Sequence, residues 1–214
     1  MRRAAPAAVA AAILAACATA PAPVPVDSAD AAPYVARWEE RRAEAYGPRR
    51  LKALYKGEAA PKIGAIVRGY LSVWWDGSTL FWKASAPLAG DLRAGRMSLL
   101  PGGGNVSPFP GRLAPADAIG ALLGVLDLPA AGRPVERARG VVTIRLDGDG
   151  RAAQFGADGR VVALLFPGRT RVALEPAQPL PLRVDASGPG GSALLALESW
   201  AEWPAGEAIP GGGA

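Results

Sequence analysis

Along most of this chain, apolar residues fall on every second position. Leu51, Ala53 and Tyr55 alternate with Lys52, Leu54 and Lys56, and Leu80, Trp82, Ala84 and Ala86 share one face of a later run. Val142, Ile144 and Leu146 alternate with Thr143, Arg145 and Asp147. Thr170, Val172 and Leu174 alternate with Arg169, Arg171, Ala173 and Glu175, and Leu182 and Val184 with Arg183 and Asp185. Successive side chains of a strand point to opposite faces, so this pattern predicts strands with one wet and one dry face, as in an antiparallel sheet. The 27 glycines and 21 prolines among 214 residues cut the chain into short segments and argue against long helices. Strands are also expected over 65–75, 79–86 and 193–203, the first two joined by the Asp76-Gly77 hairpin turn. Trp74 and Trp75 alternate across a strand, so at least one belongs to the core, and the other is free to line a cavity or meet lipid headgroups.

Two helices interrupt the strands. One is expected after Pro33, over Tyr34–Tyr46, with Val35, Trp38 and Ala45 on one face and Gly47-Pro48 closing it. The other opens at Pro115, where Ile119, Leu122, Leu123 and Leu126 recur at i, i+3, i+4 and i+7. Gly120 and Gly124 each cost about 1 kcal/mol in a helix interior, tolerable where the helix lies closely on a sheet. The expected fold is α+β, mainly β: a single strongly curved antiparallel sheet, a half-barrel of about ten strands, with two helices covering the concave face.

Absences narrow the chemistry. The chain has no histidine and one cysteine, Cys17, so it offers no histidine triad, histidine metal site, internal disulfide or thiolate cluster. Asp147-Gly148-Asp149-Gly150 lacks the further ligands of a calcium loop and reads as a hairpin turn. Gly102-Gly103-Gly104 is followed by no Lys-Ser or Lys-Thr, so it is a strand connection and not a phosphate cradle. Glu39, Glu40, Arg41 and Arg42 are expected to form a solvated helix face. Ser187 and Ser199 have no histidine to activate them; a Ser-Lys pair stays open, with nothing to single one out. No cofactor, metal or enzymatic activity is expected.

The amino terminus is a processing signal. Arg2 and Arg3 precede an uncharged run, Ala4–Ala16, too short to span a bilayer as a permanent helix. The run ends in Leu14-Ala15-Ala16-Cys17, which resembles the bacterial lipobox. That resemblance implies diacylation of the Cys17 thiol, cleavage before it and acylation of the new amino terminus. The alternative is an ordinary secretory peptide cleaved after Ala18 or Ala20. Two or three acyl chains anchor stably where one holds only marginally. By the same resemblance, Ala18 after the acylated cysteine implies the outer membrane. The expected organisation is a signal peptide over 1–16, the lipidated cysteine and an Ala/Pro-rich tether over 17–33, the folded domain over 34–210 and a frayed tail over 211–214. The net charge of +5 includes Arg2 and Arg3, and the basic excess that remains after cleavage suits anionic headgroups or an ordinary solvated surface.

The mature chain is similar to the LolA/LolB superfamily of periplasmic lipoprotein carriers and receptors, in particular its acylated LolB-like branch. The resemblance runs from about Leu51 to Ile209 and rests on the order of its motifs. A hairpin ends in Ser85-Ala86-Pro87-Leu88-Ala89-Gly90, a weak strand pair follows around 97–109, and Leu113-Ala114-Pro115-Ala116-Asp117 opens the helix that ends at Leu123-Gly124. Strands paired about Asp158-Gly159-Arg160 come next, and Trp203-Pro204-Ala205-Gly206 closes the pattern.

The resemblance implies an open half-barrel whose dry interior holds acyl chains, gaining on the order of 0.8 kcal/mol per methylene transferred from water. Leu71, Val73, Leu80 and Trp82 on strands, with Ile119, Leu122 and Leu123 on the helix, are the residues expected to line that cavity. Leu88 matches an exposed apolar residue thought to touch the membrane, though Ala89 lengthens the loop by one position; a leucine folded back over the sheet edge is the alternative. The expected role is a lipid-anchored, periplasm-facing outer-membrane protein that binds acyl chains and assists their insertion. Its expected partners are membrane lipid and acylated lipoproteins or a periplasmic carrier, with no nucleic acid and a monomeric state. A filled interior would instead suit an envelope assembly or scaffold lipoprotein acting through protein contacts.

Overall fold

Hydrogen bonding between neighbouring alternating segments builds one antiparallel sheet. The structure is a computed structural model that describes residues 22–87, 89–100, 107–109, 113–204 and 206–207. In chain order its elements are β1 (Val24–Pro25), α1 (Ser28–Ala45), β2 (Leu51–Pro61), β3 (Val67–Trp75), β4 (Thr79–Ala86) and β5 (Gly90–Ser98). Then come α2 (Pro115–Leu123), β6 (Val135–Ala138), β7 (Val141–Arg145), β8 (Ala152–Phe155) and β9 (Val161–Phe166). β10 (Thr170–Glu175), β11 (Arg183–Gly188) and β12 (Gly191–Glu202) complete it. The sheet is open and runs β1-β6-β7-β8-β9-β10-β11-β12-β2-β3-β4-β5, every neighbour antiparallel.

Among the described residues it has twelve strands, where about ten were expected. β1 and β6 have two and four residues, too few for a period to be read from them. Around 97–109, where a strand pair was expected, one strand, β5, ends at Ser98; residues 101–106 and 110–112, Gly102-Gly103-Gly104 included, lie outside the described residues. Cys17, Leu88 and the 211–214 tail also lie outside them.

Part of the 17–33 stretch expected as a tether forms regular structure. Val26 N–H donates to the Val135 carbonyl at 2.9 Å, continuing β1 along β6, and α1 begins at Ser28 instead of Tyr34. Asp27 sets this start: in an extended conformation, its carboxylate accepts from Asp30 N–H at 2.9 Å. Pro33 therefore lies inside the helix and does not open it.

Trp38 anchors α1 on the sheet. It is fully buried, its indole N–H donates to the Leu128 carbonyl at 2.7 Å, and its ring meets Phe155 of β8 edge-on at 6.4 Å. At the helix end, Trp75 Nε1–H donates to the Ala45 carbonyl at 2.9 Å and Tyr46 meets the Trp75 ring edge-on. Trp75 is thus the core member of the tryptophan pair, and Trp74 is half-buried on the opposite face. The β3–β4 turn is closed by Asp76 Oδ1, which accepts from Ser78 and Thr79 N–H at 2.9 and 2.7 Å.

The helix α2 is nearly all buried and ends at Gly124, whose φ of +75° is the left-handed conformation that glycine favours. Gly120 is needed for a close approach, but not to the sheet: an added Cβ would come within 2.4 Å of Leu126, in the segment that turns back after the helix. The Asp147–Gly150 segment is a turn, with Asp147 Oδ1 accepting from Asp149 and Arg151 N–H at 3.1 and 2.9 Å.

Candidate functional site

The concave face is packed solid at its centre and left open at one side. Leu71, Val73, Leu80, Trp82, Ile119, Leu122 and Leu123 are all buried in the core, none more than 5 % exposed. Val73, Leu122 and Leu123 border a void of about 10 Å³, together with Leu51, Tyr55, Trp75 and Leu180. That is the lower limit for a single water molecule. Leu71 lines a groove of about 80 Å³ with Tyr70, Leu92, Phe109 and Leu195. Leu80, Trp82 and Ile119 line neither hollow.

A larger hollow, about 580 Å³, lies between α1 and the strands β8, β9 and β10. Phe155, Val161 and Leu174, inward residues of those strands, line it together with Pro181, while Arg37, Glu40 and Arg41 of α1 and Arg160 of the β8–β9 turn supply the charged lining. Its volume falls within the range of about 300–1,000 Å³ common to small-molecule sites. Arg37 and Arg41 lie at i and i+4, which places them on one side of α1. Each crosses the cleft: Arg37 Nη1–H donates to the Asp158 carbonyl, and Arg41 Nη2–H to the Pro179 and Leu123 carbonyls at 2.9 and 3.3 Å.

In the acidic-basic run on α1 Glu40 is exposed, as expected of a solvated face, but Glu39, Arg41 and Arg42 are engaged with other segments or with neighbours on the helix. Glu39 Oε1 accepts from Ala130 and Ala131 N–H at 2.6 and 3.3 Å. Burial pushes the Glu39 carboxyl up, but these amides and Arg42 outweigh it and hold the group below the usual carboxylate value. Arg42 pairs with Asp127 at 2.9 Å and Arg41 with Glu44 at 2.6 Å. The residues that line the cleft were missed because their partners lie on segments distant in sequence. A helix face carrying arginines at i and i+4 beside Trp38 was the one local signal.

A second polar feature ties α2 to the β7–β8 turn. Arg151 Nε and Nη2 reach both oxygens of buried Asp117 at 2.7 and 3.1 Å, and Nη1 reaches Asp147 Oδ2 at 2.9 Å. Hydrogen bonds donated by Arg151 to Asp117 and Asp147 raise its pKa well above the ordinary arginine value. Among the described residues no group of three His, Cys, Asp or Glu side chains is placed to hold a metal ion. Nor is any described helix long and apolar enough to cross a membrane.

At the end of the sheet that carries the β2–β3 and β4–β5 connections, apolar side chains face outward. Ile63 is 90 % and Ile66 57 % exposed in the first connection, and Leu92 is exposed just after the second. The second connection is the one that carries Leu88.

No protein-family model and no curated protein matches this sequence. Among solved structures, the chain is similar to a LolA superfamily protein from Nitrosomonas europaea (11% identity, 76% of this chain and 92% of that one, TM-score 0.39). It is also similar to a domain named for outer membrane lipoprotein sorting from Vibrio parahaemolyticus (10% identity, 78% and 91%, TM-score 0.41). A third is a DUF1329 family protein from Desulfovibrio piger (8% identity, 79% and 90%, TM-score 0.40).

Proposed function

We propose that this chain is a periplasmic lipoprotein, held in the outer membrane by acyl chains on Cys17, that receives the acyl chains of lipoproteins or another lipid and passes them to the bilayer. The observation that carries this reading is the 580 Å³ cleft between α1 and β8–β10, bordered by Phe155, Val161 and Leu174. An acyl chain drawn into that cleft gains about 0.8 kcal/mol per methylene withdrawn from water. Transfer then needs graded affinities and no covalent chemistry, so no catalytic residue or cofactor enters. Leu88 and the exposed Ile63 and Ile66 belong to connections at one end of the sheet and would meet the membrane during delivery. The packed centre around Leu80, Trp82 and Ile119 favours a second reading, an assembly or scaffold lipoprotein with no cargo.

Native mass spectrometry separates the two. The full chain carrying Cys17→Ser, expressed in bacteria and purified without detergent, is expected to carry a stoichiometric lipid. A protein that stays empty, even after incubation with acyl chains, would support the scaffold.

A further inference from the structure

We infer that the cleft selects amphiphiles with an anionic headgroup, the acyl chain entering the hollow bordered by Phe155, Val161 and Leu174 and the headgroup on Arg37. The inference rests on the acyl-binding reading and adds the charge of the cargo. Three arginines and one acidic residue, Glu40, line the cleft, but the arginines are not equivalent.

Arg41 is a strut: Glu44 neutralises it at 2.6 Å, and two backbone carbonyls fix its guanidinium. Arg160 is held only loosely, 3.7 Å from Asp158, with its side chain 65% exposed. Arg37 differs from both. Its one hydrogen-bond partner among the described residues is the Asp158 carbonyl, which orients the guanidinium without neutralising it, and no described carboxylate lies within 4.0 Å of it.

Gly159 makes room for this placement. A Cβ there would come within 2.7 Å of Arg37 Nη1, and the positive φ of +71° is one that side-chain-bearing residues rarely adopt. The β8–β9 turn is thus shaped so that the exposed Arg37 guanidinium, with no described carboxylate beside it, rests against it at the edge of the cleft. A planar fork with free N–H donors binds carboxylate or phosphate oxygens in pairs, and it does so more strongly beside a low-dielectric wall. A neutral headgroup would leave that charge unanswered.

The test uses the full chain carrying Cys17→Ser and three probes of comparable chain length: oleate, oleoyl-lysophosphatidylglycerol and oleyl alcohol. Affinities are read by displacement of a fluorescent fatty alcohol. At least one anionic probe is expected to bind tenfold or more tightly than oleyl alcohol, and the stronger of the two identifies carboxylate or phosphate as the preferred source. Arg37→Gln keeps a donor for the Asp158 carbonyl but removes the charge. It is expected to abolish the anionic preference, read within the variant as the ratio of anionic-probe to oleyl-alcohol affinity falling to about one. Equal binding of all three probes to the parent chain would overturn the headgroup assignment and leave acyl binding standing. An anionic preference that survives in Arg37→Gln would overturn it as well. Binding of none of the three would remove the acyl reading and this inference with it.

Discussion

Replacing Arg151 with methionine tests how much of the fold depends on one buried charge. Asp117 is 5 % exposed, the one charged side chain in the core among the described residues, and Arg151 clamps both its oxygens. Methionine keeps an apolar stem but strips Asp117 of its fork and Asp147 of its partner. Removing one member of a buried pair costs about 3–5 kcal/mol, because the other charge stays behind. The Arg151 side chain is 23% exposed, so water reaches part of the gap and the lower end of that range is expected. For a chain of this size, about 3 kcal/mol lowers Tm by roughly 6–12 °C.

Urea melts followed by tryptophan fluorescence and circular dichroism measure the loss as a fall in midpoint at constant slope. The double variant Asp117→Leu/Arg151→Met is expected to recover most of it, since no buried charge then remains at α2. Acid adds a second check. Burial pushes the Asp147 carboxyl up, but Arg151 and the backbone amides of Arg151 and Asp149 hold it below the ordinary aspartate value. A depressed folded-state pKa stabilises fully above the unfolded value and is lost as pH falls through the folded one. The parent chain therefore sheds this contribution only below about pH 4, and Arg151→Met shows less of that acid loss. A single variant within 0.5 kcal/mol of the parent would refute the reasoning, a margin about as small as ordinary surface substitutions give. So would losses that simply add in the double variant.

Two further outcomes follow from the geometry. The Tyr55 hydroxyl is buried with no hydrogen-bond partner, and burial raises its pKa well above the ordinary tyrosine value; Tyr55→Phe is expected to leave stability unchanged or raise it by about 1 kcal/mol, measured by urea midpoint, and a clear loss would refute this. Ile63→Glu with Ile66→Glu, and separately Leu88→Glu, are expected to impair delivery of an acylated substrate to liposomes with binding intact; Ile63 and Ile66 are so exposed that their pair should change stability by less than about 0.5 kcal/mol, and unchanged transfer would remove the corresponding connection from the mechanism.

Much of the sheet is legible in the chain because alternation is a local property. Leu51, Ala53 and Tyr55 turn inward, as do Val142 and Ile144, and Val172 and Leu174, and each set shows in a few consecutive letters. The Asp76-Gly77 turn is legible for the same reason, whereas the apolar stripe from Ile119 to Leu126 puts Gly124 inside α2, and the structure makes it the left-handed stop after Leu123. The start of α1 is less so: Pro33 marks a helix opening in the sequence, but the Asp27 carboxylate, accepting from Asp30 N–H, starts the helix at Ser28. The acidic-basic run of α1 misleads, because Glu39 and Arg41 find partners on segments far along the chain, and nothing local distinguishes them from residues in water.

By itself the sequence determined the sheet class, the inward-facing residues of its clearest strands and the expectation of an export signal ending at Cys17. Tertiary structure alone decided that the centre of the concave face is filled, that the hollow opens between α1 and β8–β10, and that Arg37 stands at its edge with its charge unanswered. The reason is physical. Periodicity is written by neighbours in the chain, whereas a hollow is a shortfall of packing between elements that meet only once the chain has folded.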